Sequence, residues 1–451
     1  MGKLFGTDGV RGEANRILTP SLAYQLGRAA AYVLKHQEGR ENKENAFIIG
    51  KDTRISGDML EASLISGICS TGVNVYCAGV IPTPAVAVLT REVNALAGVV
   101  ISASHNPFGD NGIKFFNPNG QKLSDEQELE IEQYIEKDLE GIPYPVGDQL
   151  GRVLPYHQGQ RVYSQFIKKH VQGDFSGLKV VVDCANGAAS AIAPQLLTDL
   201  GAEVIAIHHE PNGININDHC GSTHLADLQK KVVQEQVHLG IAYDGDADRL
   251  LAVDHLGNVI DGDRLLVIFA LYLSAGKQLN RQKMVATVMS NMGLKEALKM
   301  ADIEVIESKV GDRYVIEEME KHGAVLGGEQ SGHIIFRNYN TTGDGILSSV
   351  KLLEIIKQSG RTLNDLGALM TQYPQVLINV PVKSKANWER EITITLTIKK
   401  LQEKLGDQGR ILVRASGTEN LLRVMVEGKD QAYIEAVAKQ IAGAIDETLN
   451  Q

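Results

Sequence analysis

One pattern constrains this chain more than any other feature: a strand, a polar break, an amphipathic helix and a second strand, written three times. The copies lie at 47–76, 179–207 and 284–306. Each opens on a β-branched apolar run and breaks at small or polar residues. A helical apolar period follows, then another short strand. This is the order of βαβ units, whose parallel strands need a long crossover. Three weakly similar copies within 451 residues predict three related α/β domains in series. From about residue 373 the order changes to strand (376–382), helix (about 387–405), two strands (411–415 and 422–427) and a last helix. That order predicts a smaller α+β domain. The expected fold is α/β, with three serial α/β domains of mixed sheets plus a C-terminal α+β domain around a central cleft. The expected divisions are 1–155, 156–256, 257–372 and 373–451.

Helix punctuation supports this parse. Thr19-Pro20 offers an N-cap followed by proline at the first helical position. Ser124 with Gln127 forms a capping box ahead of an acidic helix expected to reach about Leu139. Gly72 and Gly201 stand where two helices should stop.

Charge and composition remove several function classes. The 45 Lys and Arg against 55 Asp and Glu give a net charge of −10, which lacks the basic field that nucleic-acid binding requires. A local arginine cluster can still capture a small phosphorylated ligand. Four cysteines without a C-x-x-C pair suit a reducing cytoplasm. The first residues have no apolar signal-peptide core, and no apolar run approaches the ~20 residues of a membrane span.

The chemistry concentrates in a few loops. Tyr243-Asp244-Gly245-Asp246-Ala247-Asp248-Arg249 follows an apolar strand at 239–243. Three carboxylates so close repel one another unless a cation lies among them, and hard oxygen donors suit Mg²⁺ or Ca²⁺ better than zinc. An EF-hand would need Gly at the sixth loop position and Glu at the twelfth. Arg249 and His255 stand there, so that rival fails. A solvated acidic turn is the plain alternative. A second apolar strand ends in Ser102-Ala103-Ser104-His105-Asn106-Pro107. Ser104 makes a poor hydrolase nucleophile, because adjacent side chains on extended backbone point to opposite faces and no G-x-S-x-G elbow surrounds it. As a phosphate carrier it would complete the ligand set of the aspartates. On this segment alone, a Ser/Asn-rich turn before proline explains it equally well.

Basic and polar loops complete the set. Arg11 in Gly6-Thr7-Asp8-Gly9-Val10-Arg11-Gly12, Arg54 in Asp52-Thr53-Arg54-Ile55-Ser56-Gly57, and Lys114 can each hold a phosphoryl group, although each alone is equally a surface turn. Glu329, Ser331 and His333 in Gly327-Gly328-Glu329-Gln330-Ser331-Gly332-His333 offer the hydrogen bonds that sugar hydroxyls require, or decorate a polar hairpin tip. Arg414-Ala415-Ser416-Gly417-Thr418-Glu419 with Arg423 is a candidate phosphate cradle, or a hairpin with a Ser-Gly turn.

Together these loops resemble the α-D-phosphohexomutase superfamily over essentially the whole chain. Each motif alone is moderately specific, and their joint order is highly specific. Gln330 and the GTDGVRG segment point to its bacterial phosphoglucosamine mutase branch. The resemblance implies a mutase that interconverts glucosamine 6-phosphate and glucosamine 1-phosphate through a sugar 1,6-bisphosphate, supplying UDP-N-acetylglucosamine synthesis. It assigns phosphoserine to Ser104 and one Mg²⁺ to Asp244, Asp246 and Asp248 with the Ser104 phosphate. Glu329 and Ser331 would bind sugar hydroxyls, and Arg414, Ser416, Gly417, Thr418 and Arg423 the unreacting phosphate. Arg11, Lys114 and His105 would line the transfer site, with Lys114 a candidate proton shuttle, Arg249 beside the metal and Lys309 facing the same cleft. Asn420 departs from the family, which commonly has proline there, so the loop loses stiffness and keeps its phosphate donors. Expected partners are a phosphosugar, no nucleic acid and no membrane, with homodimerisation left open. Phosphomannomutase/phosphoglucomutase activity is the alternative within the superfamily. Outside it stand an aspartate-labelled phosphatase and a silent phosphosugar-binding regulator.

Overall fold

The computed structural model describes residues 4–6, 8–37, 43–385, 387–416 and 420–450. They form two compact units, Met1–Met289 with Asp302–Leu369, and Ser290–Ala301 with Met370–Gln451.

The first unit holds three sheets, each mixing parallel and antiparallel pairs. The six-stranded sheet runs, in spatial order, Val10–Glu13, Asp110–Phe116, Ala95–Ile101, Glu44–Lys51, Asn74–Val80 and Val153–Pro155. Glu44–Lys51 pairs in parallel with both Asn74–Val80 and Ala95–Ile101, and the helix Ser56–Cys69 supplies the expected crossover. Ala95–Ile101 is buried throughout its length, as a central strand covered on both faces must be. The five-stranded sheet runs Val259–Ile260, Leu250–Asp254, Leu239–Tyr243, Lys179–Asp183 and Glu203–Ile207. The four-stranded sheet runs Glu304–Ser308, Lys283–Thr287, Leu326–Gly328 and Ile334–Phe336.

The second unit is the α+β body read from the tail. Leu421–Gly428 lies between Gln375–Pro381 and Gly409–Ala415, all antiparallel. The helices Ile392–Leu405 and Gln431–Leu449 bury Ile394, Leu401, Ile434, Val437 and Ile441 in its core. This unit also includes the helix Met292–Lys299, the helix of the third sequence copy. Its attachment is specific. Asn291 caps the helix by accepting from the Gly293 N–H at 3.0 Å, and also accepts from the Tyr373 N–H at 3.0 Å. The Met292 N–H donates to Glu427 at 2.8 Å. The strand–helix–strand order was legible, but the surface chosen by that helix is set by capping and packing, which periodicity does not encode.

Most helix edges fall as expected. Thr19 caps Pro20–Lys35, and the Ser124–Gln127 capping box opens Asp125–Glu136. That helix stops before Leu139 because Asp138 and Leu139 adopt left-handed φ of 49° and 64°, which cannot continue an α-helix. In the tail the first turn is a separate 3-10 segment, Trp388–Arg390, and the α-helix begins only at Ile392. No helix among the described residues is long and apolar enough to cross a membrane.

The first sheet is covered on one side by Pro20–Lys35 and Ser56–Cys69, which cross closely through glycines. A Cβ on Gly67 would lie 2.2 Å from the Tyr24 carbonyl oxygen, with the Arg28 nitrogen at 2.9 Å. Backbone on both sides leaves no flexible atom to yield. A Gly67→Ala substitution is therefore expected to force the helices apart and lower stability by about 1–3 kcal/mol, read as a fall in the urea or thermal unfolding midpoint.

Candidate active site

The loops read from the sequence are carried by strand ends. Ala95–Ile101 delivers Ser102 to Pro107, and Leu239–Tyr243 delivers the aspartates. Asp244 and Asp246 are almost wholly buried, and Asp248 nearly so. One carboxylate oxygen from each lies within 4.8 Å of the others. Ser104, only 1% exposed, donates its hydroxyl to Asp244 Oδ2 at 2.5 Å. Ser104 and the three aspartates, from two different sheets, thus form one cluster.

The charges explain what the cluster can hold. Burial, then Asp248 and Asp246, push the Asp244 carboxyl up well above its ordinary range. Burial and Asp246 likewise raise Asp248. Asp246 goes the other way: burial opposes its charge, but Lys114 and the Thr83 hydroxyl hold it ionised. Thr83 donates to Asp246 Oδ2 at 2.6 Å and Lys114 at 2.9 Å. Asp246 Oδ1 and Asp248 Oδ1 are buried without a hydrogen-bond donor. Crowded, desolvated carboxylates with unused oxygens fit a hard divalent cation.

Cations crowd the same place. Lys114 is buried, and its ammonium lies 2.9 Å from Asp246 and 3.0 Å from Asp8. Burial works against that charge, but the two carboxylates raise its pKa well above the ordinary value. Arg11 pairs with Asp8 and reaches the Ala103 carbonyl at 3.5 Å. Arg249 Nε sits 3.9 Å from both Asp244 and Asp248. The His105 ring nitrogen Nδ1 lies 3.3 Å from Ser104 Oγ, and burial followed by Arg249 and Arg11 pushes the imidazole down to about 4.

The polar loop is the turn between Leu326–Gly328 and Ile334–Phe336, which pair antiparallel. Glu329 accepts from the Gly311 N–H at 3.0 Å, so the Lys309–Gly311 segment abuts it. Lys309 itself is exposed, with its ammonium 5.5 Å above the Tyr314 ring. Ser331 Oγ and both His333 ring nitrogens are buried without hydrogen bonds. His333 Nε2 lies 3.8 Å from Asp248, and residues 249 and 333 share an isolated β-bridge, so this loop borders the aspartate cluster.

In the second unit, Arg414 and Arg423 stand directly opposite one another across antiparallel strands. Like charges in that position repel. Burial, then Arg423, lowers the pKa of Arg414. Ser416 is buried at the strand end, and its carbonyl accepts from Lys385 at 2.7 Å. Gly417 and Thr418 lie outside the described residues.

Several contacts were not read from the sequence. Lys122 bridges Asp8 and Asp312, at 2.5 Å from the latter. Arg54 was read only as a phosphate-loop candidate, yet it is 3% exposed and holds the serine loop from beneath. It donates to the carbonyls of Ser104 (2.9 Å), Asn106 (2.8 Å), Asp110 (3.1 Å) and Pro107, while Nε is fixed on Asp52 at 2.9 Å. Asn217 donates to the Ser104 and Asn106 carbonyls at 2.8 and 3.0 Å. These bonds hold Ser104 at a left-handed φ of 53°, a conformation costly for a residue with a Cβ.

Family models match this architecture throughout. The phosphoglucomutase/phosphomannomutase α/β/α domains I, II and III match residues 2–141, 161–257 and 261–373, and the C-terminal domain matches 377–444. The chain belongs to the phosphoglucomutase/phosphomannomutase family, the α-D-phosphohexomutases. Within it, the chain is 54% identical over 442 residues to the phosphoglucosamine mutase of Desulforamulus reducens, covering 98% of this chain and 99% of that one. It is 54% identical over 446 residues to the phosphoglucosamine mutase of Carboxydothermus hydrogenoformans, covering 99% and 100%. A phosphoglucomutase/phosphomannomutase family protein from Burkholderia thailandensis has the same fold, with a TM-score of 0.81 and 24% identity over 99% of this chain and 98% of that one.

Arg54 yields a test of how the serine is aimed. A lysine keeps the charge beside Asp52 but cannot reach four carbonyls from one planar fork. Arg54→Lys is expected to lower kcat for phosphosugar isomerisation by about 10²-fold, the scale of a small misplacement of a reacting group. Steady-state kinetics with circular dichroism as the folding control would check it, and full activity in the variant would show that the clamp is dispensable.

Proposed function

We propose that the chain interconverts glucosamine 6-phosphate and glucosamine 1-phosphate by passing phosphate through Ser104. The observation that carries this reading is the Ser104 hydroxyl, 2.5 Å from Asp244, beside Asp246 and Asp248 oxygens that lack donors. A serine carrying phosphate at this position adds charge of roughly −1.5 to −2. Mg²⁺ held by Asp244, Asp246, Asp248 and that phosphate would neutralise the bridging oxygen and make serine a better leaving group.

The chain's own residues do the rest. Arg11 and Arg249 supply guanidinium donors to the phosphoryl oxygens as charge develops. Lys114, held charged between Asp246 and Asp8, adds a third cation beside the transferring phosphoryl group, and the attacking hydroxyl's proton ends on the departing Ser104 oxygen. Glu329 and Ser331 receive the sugar hydroxyls. Arg414, Ser416 and Arg423, with Gly417 and Thr418, hold the phosphate that is not reacting. In the first transfer the sugar hydroxyl oxygen bonds to phosphorus, the Ser104 O–P bond breaks, and a 1,6-bisphosphate results. After the sugar turns end for end, Ser104 takes the other phosphate and the isomer departs. Both Arg54 and Asn217 keep Ser104 Oγ facing the same point through both transfers. The four cysteines are free thiols, which fits a cytoplasmic enzyme supplying UDP-N-acetylglucosamine synthesis.

Peptide mapping of the purified protein is expected to find phosphate on Ser104. Ser104→Ala should lose more than about 10³-fold in kcat, the scale seen when a covalent carrier is removed. Phosphate on another residue, or a fully active alanine variant, would overturn the assignment. Chelating divalent cations should abolish isomerisation, and added Mg²⁺ should restore it. Among hexose phosphates, kcat/KM should be highest for glucosamine 6-phosphate. Equal values for glucose and mannose phosphates would point to the broader phosphomannomutase/phosphoglucomutase activity.

A further inference from the structure

The described residues contain a second group of metal-ligating side chains, in the five-stranded sheet and apart from the aspartate cluster. Asp183 ends the strand Lys179–Asp183, His208 follows its parallel neighbour Glu203–Ile207, and Cys220 precedes the 3-10 turn Gly221–Thr223. One ligand atom from each lies within 4.8 Å of the others. His208 Nδ1 lies 3.0 Å from Asp183 Oδ2 and has no other partner in the interior. We propose that Asp183, His208 and Cys220 form a site for a borderline-soft divalent cation of the zinc or cobalt class.

The donor set selects the ion. Thiolate and imidazole favour zinc-like ions, whereas the all-oxygen aspartate cluster favours magnesium. The two sites therefore differ in the metal they prefer. Tetrahedral bonds of about 2.0–2.3 Å place neighbouring ligand atoms roughly 3–4 Å apart, so side-chain rotation alone can close the group. A water completes the fourth position. Asp183 is already oriented: Oδ1 accepts from the Ala185 N–H at 2.9 Å and Oδ2 from the Gly221 N–H at 3.0 Å, with lone pairs to spare. The other ring nitrogen, His208 Nε2, faces Asp227 Oδ2 at 3.5 Å. A carboxylate behind a ligating histidine is the usual support of such sites. Cys220 and Asp183 are fully buried, while the partly exposed His208 leaves an entry path. Binding displaces the thiol proton of Cys220 and leaves His208 Nδ1 as a lone-pair donor.

The site would act on positioning and not on chemistry. Asn217, which donates to the Ser104 carbonyl, stands three residues before Cys220. Asn186, three residues after Asp183, accepts the Thr53 hydroxyl on its carbonyl at 2.6 Å, next to Arg54. An ion tying Asp183, His208 and Cys220 together stiffens the platform from which Asn217 engages the serine loop and Asn186 holds Thr53.

Cobalt provides the test, because a thiolate bound to Co²⁺ shows a charge-transfer band in the near ultraviolet and an oxygen-only site does not. Chelator-stripped protein, saturated with Mg²⁺ to fill the aspartate cluster, is titrated with Co²⁺. One equivalent should develop the band together with tetrahedral d–d absorption. Cys220→Ser should abolish the band, and Cys184→Ser should keep it. Asp227→Asn should weaken cobalt binding by about 10–100-fold. No band in the wild-type protein overturns the proposal whatever the variants do. A band that survives Cys220→Ser also overturns it, by assigning the thiolate elsewhere.

Discussion

Three buried carboxylates at the end of one strand are the constraint around which the first unit is arranged. Desolvation and mutual repulsion both oppose their ionisation, and only nearby positive charge can offset the two together. The chain answers with Lys114, Arg11 and Arg249, and then has to anchor those cations in turn. Asp8 takes Arg11, Lys114 and Lys122, and Asp312 takes the far side of Lys122. Burial disfavours the Asp8 charge, yet Lys114, Lys122 and Arg11 hold it well below the usual carboxylate range. The result is an alternating lattice in which each charge is tolerable only because of its neighbours. Such a lattice responds sharply when a phosphoryl group or a divalent ion enters it, which a mutase needs at the point of transfer.

The same logic reaches the serine. A residue with a Cβ does not rest at a φ of 53° unless its surroundings insist. Here five acceptors converge on one guanidinium, and a second amide repeats two of the contacts. Strand Ala95–Ile101 fixes where the loop begins, and Arg54, from the end of a neighbouring strand, fixes its shape. Ser104 is thereby held by backbone contacts and stays free to exchange its own hydroxyl partners.

Much of this was legible in the sequence wherever the signal was local. The two-residue and 3.6-residue periods marked the strands and crossovers, and Asp244, Asp246 and Asp248 announced a cation because they stand within five residues of one another. Lys122 carried no such signal: its partners Asp8 and Asp312 lie 114 and 190 positions away, and only the folded sheets bring them together. Arg54 was visible as a cation but not as a clamp, since its acceptors are carbonyls, which every residue has. Asn217 sits in a segment of ordinary turn residues and gained meaning only from the loop it faces. The helix Met292–Lys299 was correctly expected as a helix, while its packing surface depended on Asn291, Tyr373 and Glu427, three residues with no common motif.

The proposed role of the loop at 327–333 in gripping the sugar sets a further requirement that charge alone does not meet. A bisphosphate that reverses end for end presents different hydroxyls to the same protein groups in its two orientations. A carboxylate such as Glu329 can only accept, so it suits hydroxyls that donate in both poses. A serine hydroxyl or a neutral imidazole can donate in one pose and accept in the other. Ser331 Oγ and the two ring nitrogens of His333 are the groups of this loop left without hydrogen bonds in the protein itself. Their unused, reversible capacity matches a substrate that must be gripped twice. A loop with one fixed acceptor and two ambivalent groups also adds no further carboxylate beside Asp248, whose ionisation burial and Asp246 already oppose.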